Sequence, residues 1–292
     1  PAEGAPGILY ENVDFGVAGD YLDLPVGAYT IGFDVDDDAQ PDVIFNVPEL
    51  PAGTVANVFA VTDDMGGLSL QAQLNSSAIA RLDPAIAEVR VLHLSPDAPA
   101  VVVHVNGSIG AFAELGFWES SPWATLNQGS YTFDVTPFGR GLEDSVLQIA
   151  DIPLMDNMSY TAVAFDRVSM IQGLWLEEDF SEVPADTIRL RAIHTASAVG
   201  EVDIWAIADG GASLIYENVP FGGVGPYLEL PADAYSLGFD LNNDAMPDVI
   251  FNTPELASGT IANLFAVSDD MDNVFLTAQL QDGTLVRIDP AM

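Results

Sequence analysis

Tyr10-Glu11-Asn12-Val13 returns as Tyr216-Glu217-Asn218-Val219, and the match runs without a gap to Asp83-Pro84 and Asp289-Pro290, a constant offset of 216 − 10 = 206 residues. Two copies of one module account for this. A weaker copy sits midway: Val89-Arg90-Val91-Leu92-His93 aligns with Leu190-Arg191-Ala192-Ile193-His194, and Gly129-Ser130-Tyr131-Thr132-Phe133-Asp134 matches Gly27 to Asp34 after a small gap. The period is therefore about 100 residues, too long for a solenoid and suited to a string of independent domains.

Within each copy the apolar residues alternate or form short runs rich in β-branched and aromatic residues, as in Val101 to Val105, Tyr131 to Val135, Asp248 to Asn252 and Ile261 to Val267. Such runs, punctuated by Gly, Pro, Asp and Asn, predict strands and no long helix. The expected fold is all-β, with three tandem immunoglobulin-like antiparallel β-sandwich modules of about seven strands each. Their expected bounds are 1-86, 87-183 and 184-292. Ala85 to Glu88 and the acidic Glu177 to Asp186 read as linkers. The first module lacks the opening segment that the others supply as Val89 to His104 and Ile188 to Trp205, so it is expected to miss about two strands and to leave an open edge. Two explanations stand: a piece of a longer repeat protein, with Pro1 marking a processed or trimmed end, or completion by a neighbouring chain's strand to build a fibre. The segment Leu285 to Met292 does not resemble the missing strands, so a donor strand has to come from elsewhere.

The 292 residues carry 44 acids against 7 bases, a net charge of −37, yet 49% are hydrophobic, so the acidity does not imply disorder. All seven bases are arginines. Such a surface repels phosphate, which argues against nucleic acid and anionic membranes as partners, and no apolar run is long enough to insert as a helix. The acidity suits cations or a salty environment. No cysteine is present, so disulfides, thiolate chemistry and Cys-based metal sites are excluded.

The most informative local motif is Asp34-Val35-Asp36-Asp37-Asp38-Ala39-Gln40-Pro41-Asp42, matched by Asp240-Leu241-Asn242-Asn243-Asp244-Ala245-Met246-Pro247-Asp248. Oxygen side chains at positions 1, 3, 5 and 9 can converge on a hard cation that wants six to eight oxygens, so calcium is expected at Asp34, Asp36, Asp38 and Asp42 and at Asp240, Asn242, Asp244 and Asp248. It is not an EF-hand, since Ala39 and Ala245 stand where glycine is needed. The alternative is a plain acidic turn. Module two has Thr136-Pro137-Phe138-Gly139-Arg140-Gly141 there, and no site is expected.

His93, Ser95 and Asp97 contain the residue types of a hydrolase triad, but strand spacing holds alternate residues too far apart, and a strand-end turn is the expected role. His104 reads as a surface or half-buried strand residue. Trp118, Trp123, Trp175 and Trp205 read as core or module contacts, with a sugar-binding face as the alternative.

His93-Leu94-Ser95-Pro96-Asp97-Ala98-Pro99-Ala100-Val101, with Leu24-Pro25-Val26-Gly27-Ala28-Tyr29 and a closing Ala-Val strand, resembles the domain of unknown function family 4397. Module three departs from the opening motif as His194-Thr195-Ala196-Ser197-Ala198, while its Val202-Asp203-Ile204 keeps an Asp that module two replaces with Val102. The resemblance implies tandem β-sandwiches in exported, often envelope-associated bacterial and archaeal proteins, and no catalytic residues. The expected function is thus a non-enzymatic extracellular, cell-surface or matrix component, structural or adhesive, partnered by itself, by other surface proteins or by glycans. A fibre subunit built by β-strand addition is one form of it, and a calcium-dependent glycan-binding module is the alternative.

Overall fold

The computed structural model describes residues 7–291 apart from 38, 63–66, 209, 210 and 243. The fold is all-β, its only helical turns being single 3-10 turns at Leu142–Asp144 and Val168–Met170 among the described residues. Two compact units are present, one ending at Ile86 and also taking Asn127–Gly129, the other holding the rest.

Repeat one contributes β1 (Tyr29–Phe33), β2 (Val43–Val47), β3 (Ala56–Thr62), β4 (Leu68–Leu74) and β5 (Ile79–Leu82). β1 and β2 form a hairpin, and β3-β4-β5 a meander in which β3 is an edge. Phe45 is fully buried and meets Phe33 edge to face at 5.7 Å. Gly32 is required in β1 because a Cβ there would stand 2.6 Å from Pro41 Cβ, and Gly238 meets Pro247 in the same way.

Repeat two has β6 (Ile86–Leu94), β7 (Val101–Val105), β8 (Ser108–Leu115), β9 (Glu119–Ser120), β10 (Ala124–Asn127), β11 (Gly129–Pro137), β12 (Leu147–Leu154), β13 (Ser159–Phe165) and β14 (Gln172–Glu178). Its sheets run β10-β6-β13-β14, with β9 also on β6, and β12-β11-β7-β8. Repeat three has β15 (Thr187–Thr195), β16 (Val202–Ala208), β17 (Gly211–Val219), β18 (Leu228–Pro231), β19 (Ser236–Asp240), β20 (Val249–Asn252), β21 (Ile261–Ser268), β22 (Val274–Leu280) and β23 (Leu285–Ile288). Its sheets run β18-β15-β21-β22-β23 and β17-β16-β19-β20. Each is a β-sandwich closed over one apolar core, centred on Phe112 and Phe133 in repeat two and on Phe239 and Phe251 in repeat three.

Three features differ from expectation. Both complete sandwiches contain one parallel pair, β6 with β13 and β15 with β21, because the opening strand enters between two later ones. Ala85 to Glu88 is no linker: β6 starts at Ile86, Ala85 and Ala87 are buried, and the Ala85 N–H donates to the Ile44 carbonyl at 2.7 Å. Glu177 and Glu178 likewise belong to β14.

Repeats two and three are not strung apart. They lie in one unit, where the β6 and β15 sheets share a cluster of Leu92, Leu94, Val163, Phe165, Leu176, Ile193, Phe265, Val267 and Phe275. Both sheets are therefore buried on both faces, and β6 and β21 show near-continuous burial in place of alternation. Strand register makes Arg90 opposite Thr161 equivalent to Arg191 opposite Asn263, and Leu92 opposite Val163 equivalent to Ile193 opposite Phe265. The repeats thus meet through the same face of each, the arrangement of an isologous dimer inside one chain.

Candidate functional site

The acidic loop of repeat one gathers three carboxylates. The Asp34, Asp36 and Asp42 oxygens lie within 4.8 Å of one another, a span that one calcium ion with oxygens at about 2.3–2.6 Å can bridge. Backbone amides build the loop: Val35 N donates to Asp42 Oδ2 at 2.7 Å, Asp37 N to Asp34 Oδ1 at 2.7 Å and Ala39 N to Asp34 Oδ2 at 2.9 Å. Asp37 and Ala39 take left-handed backbone, with φ of 65° and 68°. Asp34 and Asp36 are exposed and Asp42 half-buried, while Asp38 lies outside the described residues.

The matching loop of repeat three has the same frame, with Leu241 N on Asp248 Oδ2 at 2.8 Å and Ala245 N on Asp240 Oδ2 at 2.8 Å. Its third position differs. The Asn242 amide donates to Asp248 Oδ1 at 3.0 Å, placing a neutral donor where repeat one has a third carboxylate. Asp240 is fully buried and Asp244 caps the Met246 N–H at 3.0 Å. Among the described residues, no second group of three acidic or histidine ligands gathers as closely as Asp34, Asp36 and Asp42.

The hydrolase-type set does not assemble. His93 Nδ1 accepts from the Ser95 N–H at 3.3 Å, and its Nε2 faces the Pro99 carbonyl at 3.3 Å. Asp97 instead accepts from the Val168 N–H at 2.8 Å. His194 repeats the arrangement with Ala196 N and the Gly200 carbonyl. Burial pushes both imidazoles below the usual histidine range. Both pin the bend after the opening strand. His104 is buried, against expectation, with Nε2 3.0 Å from Thr136 Oγ1.

Trp175 packs in the core of repeat two, 5.0 Å from Phe133 and 5.3 Å from Tyr160. Trp118 and Trp123 bridge the modules, donating to Thr277 Oγ1 and, at 3.1 Å, to the Gln281 carbonyl. Trp205 is half-buried with its indole N–H enclosed. None of Trp118, Trp123 and Trp175 is free to form an exposed aromatic platform. A cavity of about 300 Å³ in repeat three is lined mainly by apolar side chains, Val202, Phe239 and Phe251 among them, with His194 and Asn273 at its wall. It offers no convergent set of carboxylates.

A buried polar assembly between repeats two and three goes beyond what the sequence patterns suggest. Glu178, 1% exposed in its side chain, stands between repeats two and three. Its Oε1 accepts from Thr161 Oγ1, from Asn263 Nδ2 at 2.8 Å and from Arg90 Nη2 at 3.4 Å; its Oε2 accepts from Arg191 Nη2 at 2.8 Å and Tyr227 Oη at 2.7 Å. Arg191 Nε also holds Asn263 Oδ1 at 2.7 Å, and Arg90 Nη1 reaches the Leu280 carbonyl at 2.8 Å. Arg90 stacks on Trp123 at 4.3 Å and Arg191 on Tyr227 at 4.4 Å. Desolvation pulls Arg90 below the usual guanidinium value and pushes the Tyr227 hydroxyl up, and the adjacent carboxylate pushes it further. An arginine next to aliphatic residues at the same repeat position of two opening strands, Arg90 in β6 and Arg191 in β15, is the signal that could have found it.

Residues 87–205 match the family model for the domain of unknown function DUF4397. Over this stretch the chain is similar to that family. It is the family that the opening motif resembles, and the matched region spans repeat two, β15 and the first half of β16 in repeat three. No curated protein matches the chain. Among solved structures, the Bacillus anthracis TIE protein matches at 12% identity over 92% of this chain and 60% of its own, with a TM-score of 0.21. The chain thus spans less than two thirds of that structure's length. No helix of the described residues is long and apolar enough to cross a membrane.

Proposed function

We propose that this chain is a non-enzymatic structural or adhesive component of an extracellular, cell-surface or matrix assembly, in which DUF4397-type sandwiches act as spacers and contact surfaces. The observation that carries the proposal is where the buried chemistry sits. The Glu178 assembly and the aromatic anchors Trp118 and Trp123 join one module to the next, whereas the residues of a hydrolase-type set point to separate partners. Charged groups held that far from solvent, and bonded as densely as Glu178, position modules against each other and are inaccessible to a substrate. Electron microscopy of the full chain in about millimolar calcium, a level suited to weak extracellular sites, and again in chelator tests this reading. Filaments or ordered arrays support it. Separate particles in both buffers remove the self-assembling form and leave the chain as a spacer that contacts other surface molecules.

A second reading is calcium-dependent glycan binding, favoured by the trio of exposed Asp34 and Asp36 with half-buried Asp42. Glycan-array binding abolished by chelation and by Asp36→Asn supports it; binding unchanged by both counts against it.

A further inference from the structure

We propose that the cavity of repeat three binds a small organic cation. The apolar body of such a molecule, an alkyl chain or an aromatic ring, fills the space between the sheets, and its ammonium group stays at the mouth among carboxylates. None of the lining residues belongs to the Glu178 assembly or to the acidic trio of repeat one, so the site goes beyond the functions proposed above.

The cavity has a volume of about 300 Å³. Its floor is made by Val202, Phe239, Phe251 and Ala266, core residues of β16, β19, β20 and β21. Its mouth is made by Leu241, Val249 and Val274, half-buried residues at the ends of the β19–β20 and β21–β22 connections. Protein interiors are otherwise close-packed, and this space would take about ten waters at about 30 Å³ each. Its walls give water few partners. His194 Nδ1 already accepts from the Ala196 N–H at 3.4 Å, its Nε2 stands 2.6 Å from the Gly200 carbonyl, and Asn273 Nδ2 is engaged by Asp269 at 2.9 Å. The space therefore suits an apolar occupant. A cavity of about 150 Å³ is enough for benzene, so this one accepts a phenyl ring with a short chain.

Charge decides which apolar molecule enters. The connecting segments that supply or adjoin the lining residues, 195–201, 241–248, 269–273 and 289–291, contain no basic residue. They carry the exposed acids Glu201, Asp244, Asp248, Asp270, Asp272 and Asp289. Arg167, paired with Asp272 at 2.6 Å, and Arg287, paired with Asp289 at 2.8 Å, set two positive charges beside these six negative ones. Carboxylates around a low-dielectric hole focus a negative potential at its mouth, which draws in cations and turns anions away. An ammonium group is too costly to bury without a partner, so it remains at the rim while the apolar body is taken out of water.

The test uses the full chain in chelator, which keeps calcium out of the acidic loops, and three probes of similar shape: phenethylammonium, phenethyl alcohol and phenylpropionate. Calorimetric titration at about 0.1 M salt, where charges act over about 10 Å, should give the cation a Kd of about 1 mM or below. The alcohol should bind about tenfold more weakly, and the anion not at all at about 10 mM. At about 1 M salt, where the range falls to about 3 Å, the cation should weaken to the level of the alcohol. Methyl resonances of Val202, Val249 and Val274 should shift with the cation while those of Val103 and Val135, in the core of repeat two, stay fixed. Ala266→Leu fills the floor and should abolish binding of both the cation and the alcohol; Val249→Phe, at the half-buried mouth, gives the same test if Ala266→Leu does not fold. No binding of the cation, equal affinity for cation and anion, or binding unchanged by a filled cavity overturns the inference.

Discussion

Over their shared length β3 and β21 differ by two conservative changes, Val58 for Leu264 and Thr62 for Ser268, with Val55 for Ile261 just ahead of β3, yet every residue of β21 is buried and none of β3 is. Local sequence sets both as strands with the same side chains on the same faces. What differs is the company: β21 has β15 on its edge, the β16 sheet over its inner face and repeat two over its outer face. A strand's composition therefore states the environment it is adapted to, and in β3 that environment is more buried than the one observed. Alternating polar residues would mark an outward face; β3 has Phe59 and Val61 there instead.

The largest effect should come from the residue that exists only on the covered side of this comparison. Glu178→Gln leaves Arg90 and Arg191 buried without a counter-charge, and we expect a loss of about 3–5 kcal/mol in the stability of the unit that holds repeats two and three, measured by urea unfolding. Arg81→Ala in repeat one, where the partner Asp83 is solvent-exposed, should cost less than about 0.5 kcal/mol. A Glu178→Gln cost as small as that of Arg81→Ala would mean that the assembly does not couple the modules.

The strands themselves give the next test. Phe265→Ala removes a fully buried ring from the shared cluster and should cost about 3 kcal/mol. Phe59→Ala, the same change at the exposed equivalent, should cost under about 1 kcal/mol. Equal costs in the isolated chain would show that Phe59 is already covered, and the comparison would collapse.

The two acidic loops allow a smaller and more specific contrast. Repeat one gathers three carboxylates where repeat three zips its loop with the Asn242 amide. Calcium at about ten times its dissociation constant should stabilise repeat one by about 1.4 kcal/mol. Asp36→Asn, which copies repeat three, should abolish that gain, and Asn242→Asp should create a calcium response in repeat three. A response that survives Asp36→Asn would place the ion elsewhere.

Much of this organisation is legible in the chain. The β-strands, their sandwich class, the 206-residue equivalence and the hairpin frame of the acidic loops follow from short-range patterns, since alternation, Gly32 against Pro41 and Asp-capped turns all act within about ten residues. The site at Glu178 is hidden because its partners lie far away in sequence, 88 residues for Arg90 and 85 for Asn263, and because its neighbours Glu177 and Asp179 make it look like one more solvated acid before a proline. The face-to-face packing of repeats is hidden for a related reason: the run from Ile86 to Leu94, buried almost throughout as β6, looks in sequence like a connection followed by an ordinary strand. Arg90 in that run is the residue that betrays it, because an arginine among buried aliphatic residues needs a counter-charge supplied from outside its own strand.

The smallest prediction concerns a place where the two copies should agree. Ala39 and Ala245 both hold left-handed backbone, φ 68° and 66°, each with its N–H on the first aspartate of the loop. That conformation costs an L-residue about 1 kcal/mol, while glycine relieves it at a cost of about 0.4–1 kcal/mol in the unfolded chain. The two terms nearly cancel, so in chelator Ala39→Gly and Ala245→Gly should each shift stability by less than about 0.5 kcal/mol, and by the same amount. In calcium they should part: if the ion draws Asp34 into its shell, the Ala39 N–H that fixes that carboxylate becomes part of the site, and the backbone freedom added by Ala39→Gly weakens the calcium response of repeat one. Thermal unfolding of both variants, with and without calcium, reads this directly. Matching behaviour in both buffers would mean that the loop geometry is set by the aspartate hydrogen bonds alone.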